Sequence, residues 1–276
     1  MAEIKPNYDT KRKKLAEIIP LAHPFTVYIE QTKYCNFKCF YCIHSTRDEA
    51  DGEFRALGHR MQHIDDSFFE KIIRELKEFP QGGIKRIVFS GLGEPLTNPR
   101  LPDYVRMTVE AGIAGRVEVI TNGLLLTPEK SRALVEAGIT NINISVQGLD
   151  AEGYQKTCGV LIDFDRYLEN LKYLYEHKGN VQIYIKAIDA TLKTKENEEK
   201  FFRIFSPFAD RIYIEHLVVM QQQMDGLREI VDGTKNFYGE ELDVNRKVCA
   251  QAFYFMQIGC EGDIFPCPVP GLGKNL

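Results

Sequence analysis

The chain has 276 residues, of which 44% are hydrophobic and 27% are charged, enough to bury one large core with at most a small appendage. Its 35 Lys and Arg residues face 39 Asp and Glu residues, and the formal net charge of -4 gives no general attraction to nucleic acid or to an anionic membrane. No apolar run approaches the roughly 18 residues of a membrane helix, and the first residues include no apolar signal segment. We therefore expect a cytoplasmic protein whose partners are neither nucleic acids nor membranes.

Runs of strand length alternate with helical patterns along most of the chain. Runs rich in β-branched and aromatic residues predict six strands, at 25–31, 84–90, 116–121, 141–147, 181–187 and 211–218. Helices are expected between them, at 65–79, 101–111, 127–138, 163–177 and 194–206. Ser67 and Glu70 would form a capping box for the first of these helices. Thr127 would cap the helix that has Pro128 at its first position.

This alternation predicts parallel strands joined by right-handed crossovers, with the helices packed outside the sheet. Six βα units are too few for a closed eight-stranded barrel, so we expect an open partial barrel, with a doubly wound sheet as the competing topology. In both topologies the functional residues gather where strands end. The unusual motifs do follow strand ends: three cysteines after the first strand, "SGLGEPL" after the second and "TNG" after the third.

Three of the seven cysteines stand within eight residues, in "CNFKCFYC". Cys35, Cys39 and Cys42 can converge on one site, and soft sulfur ligands favour iron–sulfur clusters or zinc. A structural zinc ion usually has four protein ligands, and His44 could supply the fourth. A cubane cluster held by three thiolates instead leaves one iron open to bind another molecule. We favour the cluster, with zinc completed by His44 as the alternative.

The Cys-x3-Cys-x-aromatic-Cys pattern, with Tyr41 as the aromatic residue, resembles the signature of the radical SAM superfamily. The run "GLGEPL" resembles that superfamily's Gly-Gly-Glu motif. This resemblance implies an α/β fold, a partial (β/α)6 barrel, in which the three cysteines hold a 4Fe–4S cluster. It also implies that the open iron binds S-adenosylmethionine, and that reductive cleavage yields a 5′-deoxyadenosyl radical that abstracts a substrate hydrogen. A reductant such as flavodoxin or ferredoxin would supply the electron.

The resemblance assigns further strand-end residues to the cofactor. Backbone at Gly91 and Gly93 could approach it closely, and Glu94 could accept a hydrogen bond from the methionine ammonium. Asn122 and Ser145 would contact the ribose or carboxylate, with local turn capping as the alternative. The expected cofactor-binding set is Tyr41, Gly91, Gly93, Glu94, Pro95, Asn122, Ser145, Gln147 and Lys186.

Two positions depart from the family pattern, and the general base is not identified. Leu92 stands where a second glycine is common, and Gln147 stands where radical SAM maturases carry an acid. Lys156 and Glu215 are further charged candidates near strand ends. Cys158 stands alone in the sequence, and we expect it to be a packed thiol.

The last segment, 248–276, contains three more cysteines. "YFMQI" and "IFPC", joined by "EGD", predict a β-hairpin that brings Cys249 near Cys267. The segment resembles the opening of a SPASM or twitch extension, which implies an auxiliary Fe–S cluster held by these two residues. Cys260 would be an additional ligand or a buried thiol. Full extensions carry a further Cys-x2-Cys, so we expect either a truncated chain or an auxiliary site that another group completes.

These expectations divide the chain into a helical lead-in (1–24), the partial barrel (25–218), a connector (219–247) and the Cys-containing hairpin extension (248–276). Such a tail implies an oxidoreductase or maturase that oxidises or cross-links a peptide or a small polar metabolite. The alternative enzyme is a redox-neutral cyclase or epimerase resembling the molybdenum cofactor synthases. A more remote alternative is a non-catalytic zinc or Fe–S module, which would leave Glu94 and Asn122 unexplained.

Overall fold

The computed structural model describes residues 2–7, 14–80, 82–218, 227, 231–242 and 247–268. Within these ranges one nine-stranded sheet forms the centre of the molecule. Its strands are β1 (Glu3–Ile4), β2 (Thr26–Ile29), β3 (Ile84–Phe89), β4 (Ala114–Thr121), β5 (Asn141–Val146), β6 (Gln182–Ile188), β7 (Arg211–Glu215), β8 (Phe255–Ile258) and β9 (Ile264–Phe265). The spatial order is β1-β7-β6-β5-β4-β3-β2-β8-β9.

Helices connect these strands. They are α1 (Glu53–Ala56), α2 (Asp66–Leu76), α3 (Leu101–Glu110), α4 (Pro128–Glu136), α5 (Ala151–Cys158), α6 (Phe164–His177), α7 (Asp189–Leu192), α8 (Lys195–Phe205) and α9 (Gln251–Tyr254). Short 3-10 turns cover Leu15–Glu17, Ile43–Thr46, Pro95–Thr97 and Ser206–Phe208. None of the helices in these ranges is long and apolar enough to cross a membrane.

The strand order confirms the open partial barrel. Strands β2 to β7 lie side by side in chain order, and every pair among them is parallel. A doubly wound sheet would reverse this order at a switch point, so the competing topology is wrong. The sheet does not close, because β7 pairs with β1 and β2 pairs with β8 instead of with each other.

The two faces of the sheet differ in chemistry because side chains alternate along each strand. Ile142 and Ile144 of β5 are fully buried beneath the helices and belong to one continuous apolar core. Asn143, between them, faces the concave side. Helix α2 contributes Phe69 to the core, where its ring stacks on Tyr104 at 4.0 Å between centroids. The apolar core therefore lies on the helical side and the concave side is free to be polar.

The amino-terminal lead-in differs from the expected helical segment. Glu3–Ile4 is a strand that pairs in parallel with Arg211 and Ile212 of β7, and Leu15–Glu17 forms a single 3-10 turn. Residues 8–13 lie outside the described residues. The edge of β7 offers unpaired backbone groups, and pairing with β1 satisfies them.

The capping box at α2 is also wrong in detail. The N-cap residue is Asp65, whose carboxylate accepts the N–H groups of Ser67 at 2.9 Å and Phe68 at 3.2 Å. Ser67 lies inside the helix, because a carboxylate two residues before it reaches the same unpaired donors. Thr127 does cap α4, as predicted.

The carboxyl-terminal hairpin joins the main sheet. Strands β8 and β9 pair antiparallel around a turn with Gly262 at a φ of +94°. Strand β8 also pairs in parallel with β2, so that Thr26 faces Phe255 and Ile29 faces Ile258. The interpretation of this hairpin as the opening of a SPASM or twitch extension stays a prediction, and residues 269–276 are outside the described part of the chain.

Removing the cap of α4 should weaken the fold measurably. Thr127 Oγ1 accepts the N–H of Lys130 at 3.3 Å, and Pro128 follows as the first helical residue. Thr127→Ala removes this acceptor, so we expect the free energy of unfolding in urea to fall by about 1 kcal/mol. Thr127→Ser keeps the hydroxyl and should unfold like the unmodified chain. Equal losses in both variants would contradict a capping role.

Candidate active site

The three clustered cysteines lie on the loop that leaves the carboxyl end of β2, here called the cysteine loop (residues 30–47). All three are half-buried free thiols. Two kinds of backbone contact fix the loop: the Cys42 N–H donates to the Cys39 carbonyl at 2.9 Å, and the Lys38 N–H donates to the carbonyl of Cys158 on α5 at 2.9 Å. The loop is therefore held both by its own turn and by a neighbouring helix.

The thiols of the cysteine loop are desolvated and close to one another. Burial, with smaller contributions from Glu94, Cys42 and Cys39, raises the pKa of Cys35 to about 12. Burial likewise raises the pKa of Cys42 to about 12, with Cys39 adding to the effect. Three such thiols are neutral in the absence of a cation, and a bound metal group is what would stabilise them as thiolates.

The cysteine loop offers three soft sulfur donors, with one histidine close to them in the chain. Over the described ranges, no three or more His, Cys, Asp or Glu side chains are grouped so that they could hold one metal ion. The His44 ring is buried against Phe54, and burial lowers its pKa to about 4, so the ring is neutral. A neutral imidazole is the form that binds zinc, so a zinc site completed by His44 stays the alternative. Three soft sulfur donors on one loop also fit an iron–sulfur cluster.

A second loop, the glycine loop (residues 90–98), packs against the cysteine loop. The Glu94 N–H donates to the Tyr34 carbonyl at 2.8 Å. A Cβ atom on Gly93 would lie 2.3 Å from the Thr32 carbonyl oxygen, and one on Gly91 would lie 2.5 Å from Glu30 Cγ. Both glycines are thus required for contact between the two loops. Their expected approach to a cofactor stays a prediction.

Glu94 joins the ends of two strands. Its side chain is 3% exposed, and Oε1 accepts from the Leu96 N–H at 2.9 Å and from Thr121 Oγ1 at 2.6 Å. Oε2 accepts from the Asn122 N–H at 2.7 Å. Burial raises the pKa of this carboxyl, while these hydrogen bonds oppose the shift. A carboxylate oxygen accepts more than one hydrogen bond, so Oε2 retains capacity for a second donor.

Asn122 and Pro95 also make contacts between loops. Asn122 Oδ1 accepts the Leu124 N–H at 3.0 Å, which is the turn capping that the sequence left open. Its Nδ2 donates to Asn36 Oδ1 at 2.7 Å and so reaches the cysteine loop. The Pro95 carbonyl accepts from Gln31 Nε2 at 3.2 Å. The third strand end is therefore tied directly to the cysteine loop.

Tyr41 and Gln147 meet across the barrel mouth. The Tyr41 hydroxyl donates to Gln147 Oε1, and Gln147 Nε2 donates to the Ser145 carbonyl at 3.3 Å. The aromatic residue of the cysteine motif is thus positioned by the end of the fourth predicted strand. The two residues that the sequence assigned independently to the cofactor lie in contact.

Comparison with known proteins agrees with this geometry. The model for "Radical SAM superfamily" matches residues 29–205, more than half of the chain. The chain belongs to the radical SAM superfamily. It is 30% identical over 172 residues to the "Tungsten-containing aldehyde ferredoxin oxidoreductase cofactor-modifying protein" of Pyrococcus furiosus, covering 62% of this chain and 44% of that protein. It is 31% identical over 131 residues to a "Probable GTP 3',8-cyclase" of Archaeoglobus fulgidus, covering 48% and 38%.

A solved structure shows the same fold at low sequence identity. Streptococcus suis SuiB bound to S-adenosylmethionine superposes with a TM-score of 0.62 at 18% identity, covering 89% of this chain and 58% of that one. The radical SAM chain spans less than half the length of the curated relatives it matches. The family and the fold are therefore shown, and the activity of the whole protein is a separate question.

Lys186 lies on the concave face, away from the cysteine loop in strand order. Its Nζ lies 2.6 Å from Glu215 Oε2, and the Tyr184 hydroxyl donates to Glu215 Oε1 at 3.0 Å. Lys186 on β6 is separated from β2 by three strands. Its expected contact with the cofactor stays a prediction. The other charged candidate, Lys156, is exposed on α5.

The concave face holds further polar residues that sequence reasoning missed. Glu118 is completely buried, with Arg116 Nε at 2.5 Å and Asn143 Nδ2 at 3.0 Å from its carboxylate. Asn143 also accepts a hydrogen bond from Asn7 at 3.1 Å. The signal was present as alternation within the strands: "RVEVIT" and "NINISV" place polar residues between apolar ones.

The carboxyl-terminal cysteines do not form one group in this structure. Cys260 is buried, and its thiol donates to the Glu30 carbonyl at 2.9 Å, as a packed thiol does. Cys249 is exposed, and Cys267 contacts Gln251 Oε1 at 3.8 Å. The hairpin is instead tied to the cysteine loop by Lys33, whose Nζ lies 2.6 Å from Glu261 Oε2. An auxiliary cluster is thus a matter for proposal.

The described part of the connector, residues 231–242, docks beside the end of β7. The His216 N–H donates to the Phe237 carbonyl at 2.9 Å. The His216 ring joins two elements, with Nδ1 at 2.6 Å from Asp189 Oδ2 and Nε2 at 3.0 Å from the Asp232 carbonyl. Burial alone would lower the pKa of His216, but the Asp232 carbonyl and the Asp189 carboxylate outweigh it, and the pKa is raised. Residues 219–226, 228–230 and 243–246 of the connector are outside the described ranges.

Substitution of Gly93 should show whether contact between the glycine loop and the cysteine loop stabilises the fold. Gly93→Ala places a Cβ against two backbone carbonyls that cannot rotate away, so we expect the free energy of unfolding to fall by roughly 1–3 kcal/mol. Gly115→Ala is the matched control, because its Cβ would meet only the Lys85 carbonyl at 3.7 Å. Urea denaturation of both variants measures the difference. Similar free energies of unfolding for the two variants would show that the glycine loop can move to accommodate a Cβ atom at Gly93.

The connector contact should depend on pH. A histidine whose pKa is raised by folding stabilises the fold at a pH below its unfolded value, and this contribution is lost as the pH rises through the folded pKa. The thermal stability of the unmodified chain should thus exceed that of His216→Gln at about pH 5.5 and approach it at about pH 8.5. Asp189→Asn should reduce the pH dependence. A difference that widens with rising pH would contradict the assignment.

Proposed function

We propose that this radical SAM protein binds a 4Fe–4S cluster through Cys35, Cys39 and Cys42, with S-adenosylmethionine at the open iron. The observation that carries the proposal is the set of three desolvated, mutually close thiols on a loop that the glycine loop contacts directly. When bound, this cofactor pair supplies a 5′-deoxyadenosyl radical that abstracts a hydrogen atom from the substrate. An electron from a flavodoxin or ferredoxin would start the reaction.

The protein residues bind and orient the cofactors in this proposal. The three thiols must lose their protons when they bind iron, since their raised pKa values make them neutral beforehand. Glu94 Oε2, which has one described hydrogen bond, is available to the ammonium of the methionine moiety. Tyr41 and Gln147 lie in contact with each other, and we expect them to contact the nucleoside portion of the cofactor. Gly91, Gly93, Pro95, Asn122 and Ser145 stay candidates for backbone or polar contact.

The substrate we propose is a small polar metabolite or a peptide, bound at the concave face. That face presents an ion pair, Lys186 with Glu215, and a buried carboxylate, Glu118. Burying a charged group costs free energy unless it has a partner. The charged groups of this face could therefore bind a ligand that itself carries charged or hydrogen-bonding groups. Net oxidation or cross-linking is the leading outcome, and an auxiliary cluster at Cys249 and Cys267 would accept the electrons.

Redox-neutral cyclisation is the second candidate. It is favoured by the similarity to a "Probable GTP 3',8-cyclase". The two candidates differ in what they require of the tail. Oxidation needs an electron acceptor there, whereas a cyclase needs only a tail that binds the substrate.

Anaerobic reconstitution with iron and sulfide tests the shared step. The protein should turn brown and, with dithionite and S-adenosylmethionine, should release 5′-deoxyadenosine. Cys39→Ala should bind less iron and lose at least about a hundredfold of this product, because two thiolates cannot hold the cluster in place. Protein loaded with zinc is the matched control and should give none.

A colourless protein that retains only zinc and releases no 5′-deoxyadenosine would refute the proposal in favour of a non-catalytic metal module. Added GTP separates the two candidate reactions. Stimulated release of 5′-deoxyadenosine, with a cyclised nucleotide product, would favour the cyclase. Unchanged release would favour another substrate.

A further inference from the structure

Cys158 lies at the end of α5, directly beside the middle cysteine of the cysteine loop. It is fully buried. The Cys158 carbonyl accepts the N–H of Lys38 at 2.9 Å, and the Thr157 carbonyl accepts the N–H of Phe40 at 3.0 Å. These two hydrogen bonds flank Cys39 on both sides. Cys39 is therefore fixed by its backbone against the last turn of α5.

The end of α5 is shaped for this contact. Gly159 follows Cys158 with a φ of +69°, and its N–H donates to the Gln155 carbonyl at 3.0 Å. A left-handed residue turns the chain away from the helix axis immediately after the last helical residue. The carbonyls of the final turn, which lack helical partners, are left to accept hydrogen bonds from the cysteine loop.

The two side chains meet as well. The two thiols are neighbours: Cys158 is the largest cause of the raised pKa of Cys39, with burial second. The Tyr41 side chain is a second neighbour of Cys39. Tyr154 and Tyr167 lie close to Cys158 on its inner side. Aromatic side chains and core residues thus surround this thiol, and Cys39 is a polar neighbour for it.

We propose that Cys158 is a positioning residue for the cluster, donating an S–H···S hydrogen bond to the Cys39 sulfur once that sulfur is an iron ligand. The inference rests on the proposed function. A ligating thiolate has no proton, so it can only accept, and the Cys158 thiol is the donor. Hydrogen bonds to ligand sulfurs help to set the potential of an iron–sulfur cluster. Because they stabilise the more negative, reduced state, this one makes the cluster easier to reduce.

A redox titration of three proteins tests this role. The unmodified chain, Cys158→Ala and Cys158→Ser are reconstituted anaerobically, and the paramagnetic reduced cluster is followed by electron paramagnetic resonance without S-adenosylmethionine. Cys158→Ala removes the donor. We expect the equilibrium constant for reduction to fall roughly tenfold, which is 59 mV for a one-electron couple. Cys158→Ser keeps a donor of similar size and should titrate like the unmodified chain.

The outcomes separate the alternatives. A Cys158→Ala protein with full iron content and an unchanged potential would overturn the proposal, as would a Cys158→Ser protein shifted as far as the alanine variant. If both variants fold by circular dichroism but lose iron, Cys158 is a ligand and the hydrogen-bond role is wrong. If Cys158→Ala does not fold, Cys158→Val, which also lacks a donor, replaces it: a potential more negative than that of the serine variant supports the proposal, and an equal potential overturns it.

Failure of this inference is distinguishable from failure of the proposed function. If the unmodified chain holds no cluster, both are wrong. If it holds one and releases 5′-deoxyadenosine, only the comparison among the Cys158 variants bears on this role.

Discussion

The carboxylate of Glu94 accepts hydrogen bonds from three donors at the ends of β3 and β4, and the Glu94 amide donates to the loop that follows β2. Three neighbouring strand ends are therefore held by one residue. A buried carboxylate is unfavourable without such partners, so the donors must be in place for the loop to keep this conformation. The positions of the cysteine loop, of Asn122 and of the turn after β4 follow from this arrangement. A residue read as a cofactor contact is first of all the residue that shapes the mouth of the barrel.

The two faces of the sheet carry side chains of different polarity. Its outer face joins the helices through apolar side chains, whereas its concave face carries Glu118, Asn143, Lys186 and Glu215. A barrel that is not closed need not fill its interior with apolar side chains, so polar residues can persist there in pairs. Their hydrogen bonds compensate for burial. These polar pairs are the basis for our proposal that a polar ligand binds at the concave face.

Local patterns were sufficient to predict much of this molecule. The six barrel strands, the Thr127 cap and the three cysteines after β2 are each encoded in a few neighbouring residues. Contacts between distant segments were not predictable in that way. Nothing in "AEIK" identifies β7 as its partner, and nothing near Cys158 indicates Cys39. Asp65 was missed for a different reason, since two adjacent acids and a serine all suit the start of a helix and only the backbone path distinguishes them.

Strand β2 leads into the cysteine loop, yet one of its two neighbours is β8, more than two hundred residues later in the chain. Contacts so far apart in sequence form slowly, because a long loop must close first. During synthesis, the outer edge of β2 stays unpaired until residues 255–258 emerge, and an unpaired edge is a site for association with other strands. The hairpin that completes the sheet therefore covers this edge late, beside the segment that carries the proposed metal ligands. Iron that arrived before that step would reach the cysteine loop while the edge of β2, the strand that leads into it, was still unpaired.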